Sequence, residues 1–341
     1  MISRLALAAW VLVLVLLVLG AYLRHSHAGS GCSEWPACYG RIGSDPTLTE
    51  PLKTDHKPSL KAQPHWATRA HRAVAGLIAV LVVAIAVLCV ARRERRTALM
   101  FSLLALANLV FLVALGLWAG GSRSPSVTVG NLLGGISLLG LLWWLYLETR
   151  SPATALTKSM IAMPIWIGIG LVLVTAEIVL GAITSAKYAA LACASVPDCN
   201  GLLWPSTALG DALDLFRSLP TDSSGTVIGG AEQIAIQLSH RIGAAVLLVW
   251  GAFFIWKLLT TGQRPRGWDA ALLLLLLFQS GLGMGTAVAP STLAIALGHN
   301  IGAPLLLVAM LGALHHHLAA GAPSPLNADN LKEFDHGTSH H

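Results

Sequence analysis

SHRIGAAVLLVWGAFFIWKLL, residues 239–259, opens with a histidine and an arginine, closes near a lysine, and is apolar between. It lacks the alternation of a barrel strand. A backbone crossing lipid without closing a barrel must satisfy its own hydrogen bonds, and only a helix does so. About 20 residues suffice for the crossing. Working outward, the run extends over 234–259, and seven others lie near 5–23, 67–91, 98–119, 127–147, 160–184, 268–288 and 292–313. The predicted fold is an all-α polytopic membrane protein with eight transmembrane helices.

Composition agrees. Of 341 residues, 55% are hydrophobic and 11% charged, with a mean hydropathy of +0.68; a soluble domain of this length is roughly a quarter charged. The first run follows Arg4 as a signal peptide would, but no small-x-small cleavage site follows it, so it reads as a true span. The net charge of +6 reflects basic residues at helix ends, not a nucleic-acid surface. Arg92, Arg93, Arg95 and Arg96, then Arg150 and Lys158, then Lys257, Arg264 and Arg266 fall in loops that the positive-inside rule makes cytoplasmic. Both termini are then cytoplasmic, the long loops 24–66 and 185–233 face a bacterial periplasm, and residues 319–341 form a polar cytoplasmic tail. Four of the five cysteines lie in those loops, as Cys32 with Cys38 and Cys193 with Cys199. Disulfides persist in that compartment, and zinc thiolates usually come in closer pairs, so two disulfides are expected. Cys89, within a span, reads as an inert core thiol.

An internal repeat organises the chain. Each of the two cysteine pairs is spaced C-x5-C, and the second pair follows the first by 161 positions. His71-Arg72 and His240-Arg241 are 169 apart, and GNLLGG (130–135) and GHNIGA (298–303) align at an offset of 168. With Gly20-Ala21 and Gly181-Ala182, also 161 apart, four anchors share a near-constant offset, which marks duplication. Each unit has an even number of spans, so the two share one orientation, as parallel repeats do. The expectation is two four-helix bundles, residues 1–150 and 151–318.

Ionisable residues inside a membrane are functional candidates by default. His240 and His299 sit at matched depth, roughly 10 Å inside one surface at 1.5 Å per residue. Two such imidazoles on separate helices of one bundle can hold a haem iron between them; the plainer reading has each hydrogen-bonding a neighbouring helix. Arg72 and Arg241 each follow a histidine and are candidates for haem propionates or for solvated helix ends. In the first half, His71 matches His240, but the position matching His299 is Asn131, and an amide is a poor iron ligand. That half could hold a porphyrin through His71 alone with one iron face open, as oxygen or substrate chemistry requires, or be a decayed duplicate. Glu177, in the fifth span, reads as a proton-transfer group or as a neutral hydrogen-bonded one. His25 and His27 lie near the interface, His65 faces away from His71, and His315, His316 and His317 lie too far from His299 to share its iron.

GAYLRHSHAGSGCSEWPACYG (20–40), AHRAVAG (70–76), YAALACASVPDCNG (188–201), SHRIGAA (239–245) and GHNIGA (298–303) together resemble the haem A synthase family, in order and over nearly the whole transmembrane body. The resemblance implies an oxidoreductase that converts a methyl of haem O to the formyl group of haem A for cytochrome c oxidase. It implies haem b (iron protoporphyrin IX) held by His240 and His299, with haem O held near His71. The first-loop cysteines are linked, in the family, to electron or haem handling. Two positions depart from the pattern, both in the substrate half: Thr68 stands where the family usually has glutamate, and Asn131 where it has histidine. Thr68, His71 and Asn131 are therefore the candidate catalytic positions. Expected partners are haem O and haem A, membrane lipid and an electron donor; haem O synthase, oxidase assembly factors and a second copy of the chain are further candidates. The rival function is a non-catalytic haem-binding homologue for storage, delivery or oxidase assembly. A quinone-linked cytochrome b, with haems near both faces, and a transporter, with broken spans, fit less well.

Overall fold

The computed structural model describes residues 1–26, 65–118, 124–151, 162–220, 227–262, 267–288 and 292–319. Cys32, Cys38, His27, Lys158, Arg264, Arg266 and the tail from 320 lie outside them. The elements in order are α1 (Ile2–Ser26), α2 (His65–Ala91), α3 (Arg96–Trp118), α4 (Pro125–Arg150), α5 (Ala162–Ala186), the short α6 (Leu209–Leu213), α7 (Ala231–Thr260), α8 (Trp268–Val288) and α9 (Leu293–Ala319). Eight of these, all but α6, are long and apolar enough to cross a membrane. The chain is an all-α, multi-pass membrane protein.

The helices overrun the apolar segments by a turn at several ends, because intrahelical hydrogen bonds continue into the polar interface after hydrophobicity stops. Arg24, His25, Glu148, Arg150 and His315 all lie on such extensions. Local sequence accounts for two helix starts. Pro125 occupies the first turn of α4, where its missing N–H is no loss. At α7 the Gln233 side chain reaches back to accept from the Gly230 amide at 2.9 Å, satisfying one donor at the helix start. Pro304 lies inside α9 without ending it, as neighbouring helices permit in membrane spans.

Packing follows one scheme twice. In the first half α1 packs on α2 and α4, and α3 on α2 and α4; in the second α5 packs on α7 and α9, and α8 on α9 and more lightly on α7. Helices α2 and α4 do not pair closely, nor do α7 and α9. Small residues set the close approaches: a Cβ at Gly170 would strike the Trp250 ring, whose Nε1 donates to the Trp166 carbonyl at 3.1 Å. The halves meet along α4, where Gly140 accommodates Leu307 and Leu311 of α9. Trp143 of α4 meets Trp268 of α8 edge-on at 5.5 Å.

Candidate functional site

Helices α7 and α9 approach each other through two histidines. The rings of His240 and His299 lie 6.2 Å apart, centre to centre, at an interplanar angle of 77°. An imidazole nitrogen binds a metal at about 2 Å, with the ring centre about 1 Å behind it, so two imidazoles on opposite sides of one iron have centres about 6 Å apart. An edge-to-face aromatic pair falls in the same range; the surroundings of the rings separate the two cases. In both rings Nδ1 is enclosed and has no aligned hydrogen bond among the described residues, so Nε2 is the nitrogen that would be offered to a metal. Each ring also lies over a glycine of the neighbouring helix. A Cβ at Gly181 of α5 would lie 3.2 Å from His240 Cε1, and one at Gly283 of α8 would lie 2.9 Å from His299 Cε1. The separation is one at which the two imidazoles could hold a single iron, and each ring is seated against a glycine of the neighbouring helix.

Three polar side chains surround the pair. Glu177 of α5 places Oε1 2.8 Å from His240 Nδ1, within hydrogen-bond range although the ring N–H is not aligned on it. Gln279 of α8 donates from Nε2 to the His299 carbonyl at 2.9 Å. Asn300 accepts from Arg24 at 2.8 Å, lies 3.1 Å from His25 Nε2, and so joins α9 to the end of α1 one residue from His299. Of these, only Glu177 was singled out from sequence, and its contact with His240 was not. The signal was present in the spacings Glu177-x3-Gly181 and His240-x2-Gly243, which put each pair on one helix face.

Arg241 lies against the second loop. Its guanidinium donates to the carbonyls of Ser195 at 2.7 Å, Asp198 at 3.1 Å and Cys193 at 3.0 Å. That loop is closed by the Cys193–Cys199 disulfide, so the arginine beside His240 clamps a cross-linked turn over the bundle end. Hydrogen bonds from Ser195 Oγ and the Gly201 amide hold the Asp198 carboxyl below its ordinary range. Gln237, one turn before Arg241, accepts from the Cys193 amide and donates to the Ala190 carbonyl, at 2.7 and 2.8 Å. Beneath this loop Lys187 is fully buried, its Nζ 2.5 Å from the Asp211 carbonyl and 3.5 Å from Glu232.

The first half is less assembled. His71 is half-buried against α1, with its Nε2 3.8 Å from where a Gly20 Cβ would stand. Thr68 is half-buried one turn earlier, whereas Asn131 and Arg72 are exposed. His71 and Asn131 form no facing pair like that of α7 and α9 among the described residues. At the opposite end of the molecule His315 Nε2 lies 3.7 Å from Glu148, and His317 lies 3.1 Å from Asp269. Those histidines join helices far from His299.

Residues 3–311 match the COX15-CtaA family, described as cytochrome oxidase assembly protein. The chain is 32% identical to a protein named heme A synthase from Shewanella oneidensis, over 88% of this chain and 92% of that one. It is 24% identical to the heme A synthase of Granulibacter bethesdensis over 96% and 91% of the two chains, and 26% identical to that of Shouchella clausii over 76% and 77%.

Proposed function

Since this chain belongs to the haem A synthase family of multi-pass membrane proteins, we propose that it oxidises haem O to haem A, with a haem b held between His240 and His299. The facing imidazoles carry this reading, being spaced for one iron on two helices that otherwise do not pair. Bound there, the haem would supply one-electron chemistry, the use to which two axial ligands are suited. Glycines 181 and 283 seat the rings, and Arg241 fixes the loop above them. In the first half His71 presents an imidazole to the substrate porphyrin and leaves the far face of its iron open. The division of labour places the substrate within residues 1–150 and the haem cofactor within 151–318. The resulting topology has both termini in the cytoplasm of a bacterium and the cysteine loops in the periplasm.

A non-catalytic haem-binding role is the second reading, favoured by Thr68 and the exposed Asn131. The test is to embed the purified full chain in lipid, supply haem O and a chemical reductant in air, and extract the haems for mass analysis. Haem A appearing with turnover, alongside haem b, is the expected result. Haem b alone, with haem O bound but unchanged, supports the binding role.

A further inference from the structure

One packing device occurs twice in the second half. Glu177-x3-Gly181 of α5 meets His240-x2-Gly243 of α7, and Gln279-x3-Gly283 of α8 meets His299-x2-Gly302 of α9. At each meeting the histidine ring covers the glycine of the neighbouring helix, and the polar side chain one turn earlier covers the glycine that follows the histidine. The Glu177 carboxylate lies against Gly243 and the Gln279 amide against Gly302. What the polar group touches differs. Glu177 Oε1 is 2.8 Å from Nδ1 of His240, close though not aligned on its N–H, whereas Gln279 donates to the backbone carbonyl of His299 and, among the described residues, no carboxylate approaches that ring's Nδ1. In the first half the device has lost its polar members: Leu16 stands 161 positions before Glu177, and Leu112 fills the place of Gln279, packed on Gly134.

We propose that Glu177 is a positioning residue for the iron ligand of the second half: it accepts the Nδ1–H of His240, holds Nε2 toward the iron, and lowers the reduction potential of the haem. The inference rests on the bis-histidine reading above. A ligand imidazole is oriented and made more basic by a carboxylate on its second nitrogen, and a more basic, partly anionic ligand favours ferric over ferrous iron. Inside a low-dielectric bundle the interaction is stronger than in water. Burying a carboxylate in a membrane span is costly, yet a leucine stands at the matching position of the other half, so the fold itself does not require the charge. The two ligands are consequently unequal: among the described residues one is backed by a carboxylate and the other is not.

The experiment compares the full chain with Glu177→Gln, Glu177→Asp, His240→Ala and His299→Ala by optical spectra and redox titration of the bound haem. Glu177→Gln is expected to keep the low-spin spectrum and to lose about tenfold in preference for ferric iron, a rise of about 59 mV for a one-electron couple. Glu177→Asp should keep most of the lower potential. An unchanged potential in Glu177→Gln with haem bound overturns the inference and leaves the bis-histidine site standing. Normal low-spin spectra in both histidine variants overturn the site reading itself. Should Glu177→Gln fail to hold haem, Glu177→Asp decides: haem held at the native potential supports the role, and haem lost from both overturns it in favour of packing against Gly243.

Discussion

Asn131 and Thr68 are the single side chains on which the proposed activity of the first half turns. Asn131 aligns through the glycine pattern with His299, and Thr68 sits one turn before His71. Combining Asn131→His with Thr68→Glu supplies a second imidazole and a carboxylate in the family's positions. The double variant is expected to retain more porphyrin and to form more haem A from haem O, measured by haem extraction and mass analysis. Tighter porphyrin binding without added product points to a binding role; no change in either, with the fold intact, removes the first half as a haem site. At this scale the histidines were legible because depth and repeat spacing depend only on chain position. The Glu177–His240 contact was not, because it depends on how α5 is rotated against α7. Adjacency to His240 suggests a propionate or solvent for Arg241; its three loop carbonyls are a tertiary contact that adjacency does not reveal.

Glycine faces decide how the helices seat the site. At Gly283 an added methyl would lie 2.9 Å from the His299 ring, and at Gly181 3.2 Å from the His240 ring. Gly283→Ala should therefore lose more haem than Gly181→Ala, read as the haem-to-protein ratio after purification; equal retention in both would detach the rings from the cofactor. A second element-level device is Lys187 with Glu232, which pins the end of α5 to the start of α7 with both side chains buried. Breaking a buried ion pair from one side costs about 3–5 kcal/mol, while replacing both partners by apolar residues is often neutral. Lys187→Met alone should lower the thermal midpoint in detergent markedly, and Lys187→Met with Glu232→Leu should recover most of the loss. Peptide mapping without reductant should recover the linked Cys193–Cys199 peptide; the same expectation holds for Cys32–Cys38, which lies outside the described residues. All eight spans were legible from apolar length, because lipid imposes that length on any crossing helix. Their polar extensions and α6 were not, since interfacial and loop helices carry no such constraint.

At the scale of the molecule, α2, α3, α7 and α8 turn large apolar side chains outward, among them Val80, Val87, Val110, Leu117, Phe253, Leu274 and Leu277. That shell is suited to lipid, and the polar clusters gather inside it. Contacts of α4 and α1 with α9 join the halves: Arg24 and His25 meet Asn300 near one end, and Glu148 meets His315 near the other. The repeat was readable from offsets, and the same helix-pairing scheme in both halves is consistent with it; the cross-half contacts were not readable, because an offset pairs like positions of the two halves and does not tell which of their surfaces meet. In the proposed division of labour one half holds a haem between two histidines and the other does not. The measurement that tests it most directly is the low-spin haem b spectrum of His240→Ala, His299→Ala and His71→Ala, purified alike. The spectrum is expected to disappear in the first two and largely to survive in the third. A normal bis-histidine spectrum in both His240→Ala and His299→Ala, or its loss in His71→Ala alone, would contradict it.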